Sequence, residues 1–145
     1  MIKLFNRSAA IALCMIAFFT IGSVPSQAAL KKAAVTINSE YDFSTYPFPG
    51  TFTISGAFEA SGRVTMEVAD IAHAPIFHCL YTFVALDENG DETGTIIIRE
   101  QCVASPDPWQ GRWEIVSGTG AYEGLQGNGS ALMPGNQENW VGFVY

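Results

Sequence analysis

From Thr51 to Asp70 the chain alternates. Phe52, Ile54, Gly56, Phe58 and Ala60 share one parity, against Thr51, Thr53, Ser55 and Glu59; Val64, Met66 and Val68 then oppose Arg63, Thr65 and Glu67. Successive side chains of an extended strand point to opposite faces, so this pattern makes a sheet with one face on a core. No long stretch spaces apolar residues at three and four, as a helix requires. Short runs rich in Thr, Val, Ile, Phe and Tyr are instead punctuated by turn residues, the signature of an all-β sandwich or barrel. The pattern predicts eight strands, at Ala34–Asn38, Thr51–Ala60, Gly62–Asp70, Phe77–Leu86, Gly94–Ala104, Arg112–Ser117, Gly129–Met133 and Asn139–Tyr145. Ser61-Gly62 reads as a tight hairpin, and Tyr41–Gly50 and Ser105–Gln110 as loops containing Pro and aromatics. A chain of 145 residues suits one domain.

Asp87-Glu88-Asn89-Gly90-Asp91-Glu92 separates two apolar runs, and Asn-Gly is a strong hairpin turn signal. A loop on Asn89-Gly90 sets Cys102 opposite Phe77 with Cys79 diagonal to it. A loop on Gly90-Asp91 sets Cys79 directly opposite Cys102. Both registers put the two sulfurs on one face. That face also carries Phe77, Tyr81, Phe83, Ala85, Ile96, Ile98 and Glu100, and its aromatics assign it inward. Leu80, Val84, Leu86 and Ile97 fall on the other side, exposed unless a partner subunit covers them.

The N-terminus carries its own signal. Lys3 and Arg7 precede an uncharged run from Ser8 to Val24, and Ser26-Gln27-Ala28 offers small residues before a cut. Basic start, short apolar run and small-x-small site describe a secretory signal peptide over residues 1–28, leaving a domain of residues 29–145. The expected destination is extracellular or periplasmic. Cleavage removes Lys3 and Arg7, so the formal net charge falls from −7 to −9. Such an acidic chain has no electrostatic footprint for nucleic acid or for anionic lipid surfaces. Outward Thr51, Thr53, Ser55, Glu59, Arg63, Thr65 and Glu67 also exclude an outer-membrane barrel, which needs an apolar outer band. No membrane partner is expected after cleavage. In an oxidising compartment the two remaining cysteines, Cys79 and Cys102, predict one structural disulfide. His73 and His78 stand at no metal-site spacing with them, so no metal or other cofactor is expected.

Val116-Ser117-Gly118-Thr119-Gly120-Ala121-Tyr122-Glu123-Gly124-Leu125-Gln126-Gly127 is rich in glycine, yet no helix follows to cradle a phosphate. Its glycines suit a compact turn, at Gly118, Gly120 and Gly124, with Tyr122 packed over a barrel end. The segment resembles the G-[ST]-G-x-[FY]-x-G-x-x-G motif of the allene oxide cyclase and dirigent barrels, and more closely small secreted bacterial barrel proteins of unassigned function. Trp113-Glu114-Ile115-Val116 before it and the strand count support the likeness. The resemblance implies a single antiparallel barrel of about eight strands whose interior takes a small hydrophobic ligand, and often a homotrimer. It brings no catalytic residue with it.

Among inward residues Glu100 is the most incongruous. Flanked by Ile98 and Cys102 and near Tyr81, it is a candidate acid/base with the Tyr81 hydroxyl as partner, or else a rim carboxylate reaching water. Phe52, Phe58, Phe83 and Ile98 are expected to line the lumen. Inward aromatics at Phe52, Phe58, Phe77, Tyr81 and Phe83 favour a filled barrel, a secreted structural or interaction protein; two further functional classes follow if the lumen is open. One is a binding or structural module with a small apolar lumen and no evident catalytic machinery. The other is a cofactor-free isomerase or cyclase acting on a hydrophobic small molecule.

Overall fold

A computed structural model describes residues 31–73, 75–103 and 107–145, so the expected leader at residues 1–28 lies outside the described residues. The described chain is all-β: β1 Ala33–Tyr41, β2 Phe48–Gly56, β3 Ala60–His73, β4 Ile76–Leu86, β5 Glu92–Val103, β6 Trp109–Gly118, β7 Gly127–Met133 and β8 Gln137–Val144. All neighbours are antiparallel, and β1 closes on β8 to complete an eight-stranded barrel. Ile37 thus faces Ile54 on one side and Trp140 on the other.

Period two does the sorting. Cys79, Tyr81, Phe83 and Ala85 of β4, with Gly94, Ile96, Ile98, Glu100 and Cys102 of β5, are buried; their neighbours are not. Leu80, Val84, Leu86 and Ile97 are half-buried on the outer wall. The middle of the barrel is filled by rings in edge contact. Phe52 meets Phe83 at 5.0 Å, Phe83 meets Trp140 at 5.9 Å, and Trp140 meets Tyr81 at 4.7 Å. Such offset and T-shaped pairs suit the ring quadrupoles. Phe52, Phe83 and Ile98 are therefore core filling.

The β4–β5 register follows the Asn89-Gly90 alternative: Cys79 faces Glu100 and Cys102 faces Phe77. Gly90 takes φ +86°, and the Asp87 carboxylate accepts the N–H groups of Asn89 and Asp91 at 2.9 Å each. A left-handed glycine and an Asx turn together fix the tip.

The β2–β3 turn differs from expectation. It falls at residues 57–59, where Gly56 (φ +102°) ends β2 and the Ala57 N–H bonds to the Ala34 carbonyl at 2.8 Å. Ser61 and Gly62 belong to β3. A Cβ on Gly62 would lie 2.1 Å from the Val84 carbonyl oxygen, so its glycine serves strand packing, not a turn. Phe58 leaves the strand pattern and packs at 5.4 Å on Tyr122, covering one barrel end instead of lining the lumen.

Tyr122 closes a short 3-10 turn, Gly120–Tyr122, between β6 and β7. Gly120 has φ +59° and Gly124 φ +77°. A Cβ on Gly118 would approach the Tyr122 carbonyl oxygen to 2.1 Å, and one on Gly120 would stand 2.5 Å from the Thr93 carbonyl oxygen. Gly120→Val should therefore lose about 2 kcal/mol from backbone strain and crowding. Thermal unfolding checks this; an unchanged midpoint would show that the turn tolerates a side chain.

Candidate functional site

Four polar side chains meet inside the barrel toward the end opposite Tyr122. β5 supplies Glu100, β8 Glu138, β4 Tyr81 and β1 Tyr41. Glu100 is 2% and Glu138 1% exposed, with the two tyrosines equally enclosed. The Tyr81 hydroxyl donates to Glu100 Oε2 at 2.7 Å and lies 3.5 Å from Glu138 Oε1; the Tyr41 hydroxyl donates to Glu138 Oε2 at 3.2 Å. The structure thus brings Glu100 and Tyr81 together, deep in the wall and away from water.

Glycine makes the room. Gly111, the register partner of Cys102 on β6, leaves space that the Glu100 side chain fills: a Cβ there would lie 1.7 Å from Glu100 Oε1. Any larger residue there would evict the carboxyl group.

Among the described residues no Lys or Arg contributes to the electrostatics of the two carboxyl groups, and burial dominates their chemistry. Desolvation pushes the Glu100 pKa up, opposed by hydrogen bonds from Tyr81 and from Glu138. Glu138 is pushed well above the carboxylate range, first by burial and then by the charge of Glu100. Glu138 therefore holds its proton and donates toward Glu100, because two like charges this close cannot both be sustained. Burial also raises Tyr81 and Tyr41, which remain phenols and donors. The cluster can hold or pass a proton.

Sequence parity alone did not place Glu138 or Tyr41. Glu138 precedes the expected start of the last strand, and Tyr41 falls in an expected loop. The available signal was same-face spacing: Glu138 lies two before Trp140, and Tyr41 continues Val35, Ile37 and Ser39.

The expected disulfide is absent. Cys79 and Cys102 are free buried thiols with sulfurs 3.9 Å apart, against about 2.05 Å for a bond. The register explains the spacing, since Cys79 faces Glu100 and Cys102 lies on the diagonal. Contact with Cys79 and then burial push the Cys102 thiol far above its ordinary pKa, so it is no nucleophile.

Outward from the cluster the barrel opens. Tyr41 packs at a tilt on Tyr81 at 6.1 Å and stacks on Phe43 at the same distance, linking interior to mouth. Phe43 and Tyr46 both pack edge-on against Phe48, and Phe77 stacks on Trp109 at 5.5 Å. Between these rings lies a cavity of about 380 Å³, lined by Phe43, Phe48, Met66, Val68, Trp109 and Met133, with Asp107 and Gly135 also on its wall. Met66, the register partner of Tyr81, and Met133 are buried. A larger hollow of about 1090 Å³ crosses the outer wall over β1 and β5–β8, but many of its lining residues are polar, among them Thr36, Gln101, Gln110, Arg112, Asn128 and Ser130. It is a surface groove, and the mouth is the more apolar host. Among the described residues no group of three or more His, Cys, Asp or Glu could hold a metal ion.

The chain matches no family model, no curated protein and no solved structure.

Proposed function

We propose that the protein is a secreted small-molecule-binding barrel that takes an apolar ligand at the mouth formed by Phe43, Phe48, Met66, Val68, Trp109 and Met133. The carrying observation is the ring-lined cavity of about 380 Å³, at one end of a barrel whose middle is packed solid. Apolar concavities with few polar groups are where small ligands bind. The leader-like N-terminus supports secretion, and the resemblance of the Gly118–Gly127 segment to hydrophobic-ligand barrels supports the ligand class.

The experiment is titration with a neutral fluorescent probe, N-phenyl-1-naphthylamine. One saturable site per chain is expected, weakened at least tenfold by Val68→Trp, which fills the cavity while leaving the thermal midpoint within a few degrees. Absence of saturable binding, or indifference to Val68→Trp, would overturn the reading.

A second reading, cofactor-free acid/base chemistry on a bound apolar molecule, is favoured by the 2.7 Å contact between Tyr81 and Glu100 and by the adjoining proton-holding Glu138. Both carboxyl groups are buried and neither lines the cavity, so a substrate atom reaches them only if buried side chains move. Binding needs no such movement and takes precedence.

A further inference from the structure

Among the described residues, the segments around the open end, 40–50, 66–73, 75–78, 101–103, 107–110 and 132–138, contain Glu40, Asp42, Glu67, Asp70, Asp107 and Glu138 but no Lys or Arg. Among the described side chains there the one basic group is His78, whose Nδ1 stands 3.8 Å from the Asp70 carboxylate. The cations of the barrel lie elsewhere. Lys32 sits 5.9 Å over the Tyr145 ring, next to the residue that closes β8 against β1, at the end away from the mouth. Arg99 pairs with Glu114 on the outer wall, Arg63 faces Thr51 and Val84, and Arg112 faces Gln101 and Ser130. None of these cations lines the cavity.

Asp107 lies on the cavity wall itself. Asp42, close to Phe43, accepts the Ser44 N–H at 2.8 Å; hydrogen bonding from the Ser44 side chain first, and from this N–H second, holds its carboxyl group below the usual pKa and keeps it charged. An anionic ligand in the cavity would meet the Asp107 carboxylate and no cation on its wall. A cation would meet Asp107 and the faces of Phe and Trp rings, which attract positive charge.

We propose that the natural ligand of the mouth is a cationic apolar molecule, an alkyl- or arylammonium compound. The proposal rests on the binding reading above and adds the charge of the ligand to it.

Calorimetric titration at low ionic strength with decyltrimethylammonium, 1-decanol and decanoate tests it. The ammonium compound should bind at least tenfold more tightly than decanoate and severalfold more tightly than decanol. Its advantage should shrink in 0.5 M salt, because exposed carboxylates are screened over a few ångströms there. Asp107→Asn should lower ammonium affinity about threefold and leave decanol unchanged, while Val68→Trp should weaken all three. Decanol or decanoate binding as tightly as the ammonium compound, with Val68→Trp still effective, would overturn the charge assignment and leave the apolar site standing. Ammonium binding indifferent to Val68→Trp, or to Asp107→Asn, would place the cation outside the cavity and overturn the proposal. Absence of saturable binding by all three would overturn the binding reading together with it.

Discussion

Gly142→Val should be among the most damaging single substitutions in the barrel, costing about 4 kcal/mol, a large share of the stability of a small domain. Strand propensity argues the other way, since valine is favoured over glycine in a strand by up to about 1 kcal/mol. Sterics decide. Gly142 of β8 faces Gly129 of β7, and the Trp113 indole lies over the pair. A Cβ on Gly142 would stand 2.3 Å from the Asn128 carbonyl oxygen and 2.5 Å from Trp113 Cζ2. Trp113 cannot withdraw cheaply, because its Nε1–H donates to the Ser130 carbonyl at 3.1 Å and its ring packs on Trp140 at 6.2 Å. Interiors this dense turn an added methyl into backbone displacement. Gly135→Ala is the control: φ is +69° there, but nothing lies within 4 Å of the added carbon. That change should cost about 1 kcal/mol, the ordinary penalty of a left-handed residue with a side chain. Urea unfolding of both variants measures the contrast, and equal losses would mean that the indole does not need its glycine seat.

The same glycines show why the strands were easier to read than the site. Alternation along Thr51–Ser55 and Cys79–Leu86 is local, and each inward residue there is apolar, so parity reveals both strand and face. The strand ends were less legible. Tyr41, Phe48, Trp109 and Glu138 sit beside prolines, glycines or polar residues that read as loop, yet all lie within strands. Glu100 and Tyr81 could be paired from one hairpin, because its turn sets their register to within a residue. Glu138 could not. It comes from β8 and reaches them across the closed lumen, a contact fixed only when β1 pairs with β8. Gly111 was equally silent, since its reason for being glycine is the Glu100 carboxyl group on the neighbouring strand. The disulfide expectation failed on the same scale: two hairpin registers differ by two in their pairing, and only one sets the sulfurs face to face.

Glu138→Gln should make the protein more stable at neutral and alkaline pH while changing little near pH 4. Burial, reinforced by the charge of Glu100, raises the Glu138 pKa in the folded state; in the unfolded chain the carboxyl group titrates near the ordinary value of about 4.3. Above that value the folded state binds more protons than the unfolded one, so stability falls as pH rises. The loss is about 1.4 kcal/mol per pH unit for each carboxyl group still protonated in the fold, and it levels off once pH passes the folded pKa. Glu100, raised by its own burial, adds to the decline in the same direction. Glutamine has the shape of the protonated acid: its carbonyl accepts the Tyr41 hydroxyl, its amide donates toward Glu100, and it has no proton to lose. Stability curves from urea unfolding at pH 4 to 8 should therefore diverge, with the wild type declining more steeply than Glu138→Gln by about 1.4 kcal/mol per unit just above pH 5. Tyr81→Phe should leave that difference in slope in place, because burial and not the phenol is the first cause of the shift. Parallel curves for wild type and Glu138→Gln would mean that Glu138 ionises freely in the fold, and with that the proton-holding cluster beneath the mouth would be lost as a basis for acid/base chemistry.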